Sequence, residues 1–168
     1  MNIINQFLSE SIDESVTKNG RRQAVKVFVI NDKKILFLRI HSDDCGNGKW
    51  DIPGGGINEG EKIRDAVKRE VFEETSLELD NIKKLTEKNG KLDVDKTGYH
   101  CDYTFYIADA KGTDVQLRKS ECAKMDFAPE HNEYKWVDQI WQLEEMDMVP
   151  DFKRIAKKLL KRYQKDSK

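Results

Sequence analysis

The chain has 168 residues, 38% hydrophobic and 36% charged, the proportions of one globular domain with room for a proper core. Its 30 basic and 31 acidic residues leave a formal charge of −1. A balance this close argues against nucleic acid or a membrane surface as partner.

The opening residues, MNIINQFLSESIDESV, have no basic stretch followed by an apolar run, so they do not read as a secretory signal. Ile4, Phe7, Leu8, Ile12 and Val16 recur at helical spacing, which predicts an amphipathic helical extension over 1–20. That helix is placed to pack on its own domain or on a second subunit, as in a homodimer. QAVKVFVI and KILFLRI are β-branched and aromatic runs separated by NDK, the pattern of a hairpin. The stretch SDDCGNGKWDIPGGGINEGE, rich in Gly, Asp and Asn, reads as a long loop of the functional kind.

A helix is expected over 61–75, then a strand in LELDNIKKLTEKN with a turn near Asn89 and Gly90. GYHCDYTFYIA alternates Tyr99, Cys101, Tyr103, Phe105 and Ile107 against His100, Asp102, Thr104 and Tyr106, a half-buried strand. EYKWV is a short strand, followed by helices over 138–146 and from Pro150 to about Tyr163. Trp136 and Trp141 read as core. No segment reaches the roughly 18 apolar residues of a bilayer span. Cys45, Cys101 and Cys122 lack CxxC spacing, which speaks for a reducing, cytoplasmic setting and against a zinc site. The order of elements predicts one α+β domain over 1–168, a mixed sheet with helices on its faces.

The helix over 61–75 breaks its own pattern. Ile63, Val67, Glu70 and Glu74 share one narrow stripe, with Ala66 and Glu73 at its edge. A structural helix would continue that stripe with Leu or Val, yet it turns to carboxylate halfway along. Partly buried carboxylates without partners cost several kcal/mol or take up protons. A bound Mg²⁺, which prefers oxygen ligands and keeps waters and phosphates in its shell, removes the difficulty. Phe72 lies on the opposite side, which suggests packing there as well.

Read from Gly55, the segment GGINEGEKIRDAVKREVFEETSL resembles the Nudix box. Gly55, Glu61, Arg69, Glu70, Val71, Glu73, Glu74 and Leu77 all fall in register, and WDIPGG resembles the usual lead-in. So many fixed positions in one span make the match specific, unlike a lone short motif. Ser76 stands where the box has glycine, at a helix end where a left-handed residue is expected.

The resemblance implies the Nudix fold, an α/β/α sandwich, and hydrolysis of a nucleoside diphosphate linked to another group. It implies Mg²⁺, or Mn²⁺ in its place, held by Glu70, Glu73 and Glu74 with the Gly55 carbonyl as a further ligand. Glu61 and Arg69, two helical turns apart, would support the site, the forked guanidinium aligning the carboxylates. The general base would be a glutamate of the box, such as Glu73, or one from a later loop, in APEHNEYKWV ahead of the strand. There Glu130 and Glu133 stand, and Glu130 matches an additional metal-site carboxylate of some members. His131 beside it reads as solvated. Arg39, at the end of the second strand, would meet substrate phosphates, and Trp50, Tyr103 and Phe105 read as core before base-stacking partners.

Signatures for ADP-ribose and dinucleoside polyphosphate substrates do not appear, which leaves a nucleoside triphosphate or related small nucleotide as the expected substrate. Two rivals share the fold. A non-catalytic nucleotide sensor would lose box glutamates, and all are present. A diphosphate isomerase would need a catalytic cysteine, for which Cys45 is the candidate, against an intact hydrolase box.

Overall fold

The computed structural model describes residues 22–41, 48–85, 90–92, 101–117 and 131–165, with 90–92 as backbone alone. The expected helix over 1–20, Cys45, the turn at Asn89 and Glu130 lie outside the described residues.

The expected hairpin forms from β1 (Arg22–Asn31) and β2 (Lys34–Ile40). Ile30 faces Ile35 and Asn31 faces Lys34. The two turn residues, Asp32 and Lys33, both take positive φ, 45° and 62°. That is the mirror-image geometry whose twist matches two flanking strands. The long loop is not all irregular. It contains β3 (Trp50–Asp51), which pairs antiparallel with Leu38 and Arg39. Past β3 the chain stays bonded to β1: Val27 N–H donates to Pro53 O, Val25 N–H to Gly55 O, and Ile57 N–H to Gln23 O.

Next come α1 (Ile63–Thr75), β4 (Leu79–Lys84), β5 (Gly90–Leu92) and β6 (Cys101–Ala110). Finally β7 (His131–Val137), α2 (Ile140–Glu145) and α3 (Pro150–Lys165) complete the order. The strands make one mixed sheet in the order β3-β2-β1-β6-β4, with β5 also on β6 and β7 also on β2. The β1–β6 pair is parallel, from Arg22 opposite Cys101 to Ile30 opposite Asp109. A parallel pair at the centre of a sheet is covered on both faces. Accordingly every residue of β1 from Ala24 to Ile30 is buried.

Two apolar layers result. Val25, Val27, Val29, Leu36 and Leu38 pack against Ala66, Val67 and Val71 of α1. Phe28, Ile30, Ile35 and Phe37 pack on the other face, against Leu143 of α2 and Phe152, Ile155 and Leu160 of α3. This is the expected α/β/α sandwich. Among the described residues no helix is long and apolar enough to cross a membrane.

Several residues depart from expectation. β6 is not half-buried throughout, because Tyr106 and Ala108 are covered by the α1 layer while Cys101, Tyr103 and Phe105 belong to the other. Helix α1 begins at Ile63 rather than Glu61. Phe72 is 41% exposed and Trp141 60%, so neither is core: each points away from its helix's packed side. Trp136 is half-buried at the edge of the α1 layer. His131 and Glu133 are strand residues rather than loop, and His131 is buried.

Candidate active site

The site is built where the chain leaves β3, turns through Gly54–Gly56 and enters α1. Gly54 has φ 139°, and a Cβ there would lie 2.1 Å from Val25 O, so only glycine fits. At Gly55 a Cβ would meet the Glu70 carboxylate at 2.6 Å. The absence of a side chain lets backbone and carboxylate share one space.

Arg69 organises the acids. Its Nε and Nη2 donate to Glu61 Oε1 and Oε2 at 2.7 and 2.8 Å, the forked geometry of guanidinium on carboxylate. Nη1 donates to Glu70 Oε1 at 2.6 Å and Glu73 Oε2 at 3.1 Å, and Nη2 also donates to Gly56 O at 2.9 Å. A guanidinium has five N–H groups, and all are used. Glu61 in turn accepts from Asn58 N–H at 2.9 Å, which closes the turn that precedes the helix. With side chains only 25% and 14% exposed, Arg69 and Glu61 are not an ordinary surface pair.

The acids differ in environment. Burial pushes the Glu70 carboxyl up, against the pull of Arg69, and the neighbouring Glu73 adds to the rise. The hydrogen bond from Arg69 holds Glu61 below the usual carboxylate value, despite some burial. Glu73 is the open one, its side chain 56% exposed. Glu74 Oε2 accepts the Gly54 N–H at 3.0 Å.

The expected convergence of Glu70, Glu73 and Glu74 on one point is not complete. Among the described residues no three acidic, histidine or cysteine side chains stand close enough to hold an ion. Arg69 draws Glu70 and Glu73 to itself, and Gly54 holds Glu74. The donor set nevertheless fits a hard divalent cation: the ligands are all oxygen, and Glu70 is a desolvated carboxylate whose charge a cation would compensate. Gly55 O already accepts from Val25 N–H at 2.9 Å, which leaves its second lone pair.

Arg39 is exposed at the end of β2. Its Nε donates to Gly48 O and Nη1 to Glu133 Oε2, both at 3.0 Å. Its guanidinium carbon lies 6.0 Å from the Trp50 ring centre. Trp50, Tyr103 and Phe105 are buried in the α3 layer, as core.

Lys26 was not singled out from the sequence. It is 6% exposed in the middle of β1, and its ammonium donates to Asp51 Oδ2 at 2.7 Å, Ile52 O at 3.1 Å and Gly54 O at 3.2 Å. Burial opposes its charge, yet Asp51, Tyr103 and Glu74 together raise it above the ordinary lysine value. The signal was visible as one charge inside the apolar run AVKVFVI.

The family model described as NUDIX domain matches residues 20–162, and the chain belongs to that family. It is 27% identical over 163 residues to an RNA pyrophosphohydrolase of Shewanella loihica, covering 88% of this chain and 86% of that one. It is 37% identical over 59 residues to the oxidized purine nucleoside triphosphate hydrolase of Mus musculus, where the match covers 35% of this chain and 37% of the relative. This chain thus matches little more than a third of the mouse protein's length. Among solved structures, the MutT protein of Methanosarcina mazei Go1 superposes with a TM-score of 0.59 at 26% identity, covering 90% of this chain and 99% of that one.

Proposed function

We propose that this chain hydrolyses a phosphoric anhydride bond of a nucleoside triphosphate or related small nucleotide, with Mg²⁺ or Mn²⁺ held by Glu70, Glu73, Glu74 and the Gly55 carbonyl. The observation that carries the reading is the Arg69 clamp. A five-donor side chain gathers Glu61, Glu70 and Glu73 in the register of the box. A divalent ion in such a site neutralises phosphate charge and lowers the pKa of a bound water.

The residues have separate tasks. Arg69 and Glu61 align the acids and touch no substrate. Glu73, the most open carboxylate, or Glu130 accepts the proton of the attacking water. Glu130 adds a ligand when the phosphates are in place. Arg39, solvent-facing at the rim, exchanges its Glu133 contact for a phosphate oxygen. An RNA 5′-triphosphate is a second reading, favoured by the Shewanella loihica relative, whose alignment spans most of both chains.

The test is a panel of nucleoside triphosphates, oxidised nucleotides, dinucleotides and a 5′-triphosphorylated RNA, with and without added Mg²⁺ or Mn²⁺. Phosphate or pyrophosphate should be released only with metal; equal turnover after complete chelation would sink the reading. Glu74→Gln should remove more than about 90% of turnover, since a neutral amide is a poor ligand for a hard cation. It should leave unfolding free energy within about 1 kcal/mol, because the Gln oxygen still accepts the Gly54 N–H.

A further inference from the structure

Lys26 occupies an odd place. Its neighbours on the same side of β1, Ala24 and Phe28, belong to the apolar layer under α3, whereas the box helix lies on the other face of the sheet. The Tyr103 and Phe152 ring centres lie 5.7 and 5.8 Å from its ammonium. An ammonium has three protons, and Asp51, Ile52 O and Gly54 O take all three. A lysine so engaged has no lone pair for a nucleophile and no proton to offer a substrate. Burying a charge is costly unless it is fully paired, and this one is paired entirely with the segment that leads into the box.

Gly54 is the junction. Its carbonyl accepts from Lys26 on one side of the sheet, and its N–H donates to Glu74 Oε2 on the other. Between them lies the φ of 139° that only glycine tolerates here. Holding the carbonyl therefore constrains where the N–H points. The ammonium charge also bears on Glu74 and Glu70.

We propose that Lys26 is a positioning residue for the carboxylate site: clamped on Asp51, Ile52 and Gly54, it fixes the turn whose N–H holds Glu74, from the face opposite the site. The inference rests on Glu74 belonging to the metal-binding set. Asp51 is its necessary partner, with one oxygen on Lys26 and the other accepting Ile52 N–H at 2.7 Å.

The test compares Lys26→Met, Lys26→Arg and Asp51→Asn with Leu160→Ala, a large-to-small change in the same apolar layer far along α3. Two quantities are read without substrate: Mn²⁺ affinity by calorimetry and hydrogen exchange of the Gly54 amide. Lys26→Met should bind Mn²⁺ about tenfold more weakly, the usual scale for residues that orient ligands, and should lose Gly54 protection. Lys26→Arg should recover most of both, and Asp51→Asn should move in the same direction by less. Leu160→Ala should lose stability while keeping both readouts. Unchanged Gly54 exchange in Lys26→Met or Asp51→Asn, or equal changes in Leu160→Ala, would reduce Lys26 to a core staple. Should Lys26→Met not fold, Asp51→Asn decides alone. Failure of the unsubstituted protein to bind Mn²⁺ would overturn the metal reading, while the Gly54 amide still decides the role of Lys26.

Discussion

Arg69 and Lys26 solve one problem by different chemistry. Each is a cation with every proton engaged, one a planar fork on three carboxylates and a carbonyl, the other a point charge on one carboxylate and two carbonyls. Glu61 shows what the fork contributes. A carboxyl held below its ordinary value binds its proton less well folded than unfolded. Its stabilisation is complete above the unfolded pKa and is lost as pH falls through the lowered one. Glu61→Gln should therefore cost about 2 kcal/mol at pH 7, the scale of a charge-assisted hydrogen bond, and the gap to the parent should narrow below about pH 4.5. Urea unfolding across pH 3–8 checks this; a gap that widens on acidification refutes it. The Glu61–Arg69 pair was legible as two fixed positions of the box, but not for the helical reason: Glu61 stands in the turn before α1, which begins at Ile63, and it is that turn that brings its carboxylate to Arg69. Lys26 was not legible, since the acceptors it needs belong to a turn that only tertiary structure brings beneath it.

Helix α1 has no side-chain cap at Lys62, and it ends at Ser76 with φ 62° and ψ 12°, the Ser76 N–H donating to Phe72 O at 2.8 Å. The left-handed end expected for the box glycine is kept although the residue is serine. Ser76→Gly should therefore stabilise the protein by about 0.5 kcal/mol. The relief of left-handed strain exceeds the added flexibility of the unfolded chain, less the Ser76 Oγ contact to Gln116 O at 3.4 Å. Chemical denaturation measures it, and a loss of stability would show that the Oγ contact matters more. The helix core was legible because Ala66, Val67 and Val71 repeat at helical period. Phe72 and Trp141 were misjudged for the converse reason. Apolar character names a side chain that gains from burial, not one that finds a surface to cover it, and α2 has only six residues to set a periodicity.

At the scale of the molecule, the mixed sheet and its two helical layers followed from the alternation of strand and helix patterns. The hairpin was placed almost to the residue. What the sequence could not supply was pairing between distant strands: that β1 lies beside β6, and that the supposed long loop carries β3 and runs along β1. Local patterns fix which face of a strand is apolar, whereas neighbours in a sheet are chosen by the packing of both layers together.

The parallel pairing of β1 and β6 also has a kinetic consequence. Arg22 finds Cys101, and Ile30 finds Asp109, across nearly half the length of the chain, while both apolar layers draw on β1. Neither layer can close before that distant contact forms, so the entropy of joining it falls early, before most of the burial that compensates it. Val27→Ala in β1 should therefore slow refolding, whereas Leu160→Ala in α3 should mainly quicken unfolding. Stopped-flow chevrons of the two variants would separate these outcomes, and an unfolding-only effect of Val27→Ala would mean that the contacts of β1 form only after the rate-limiting step.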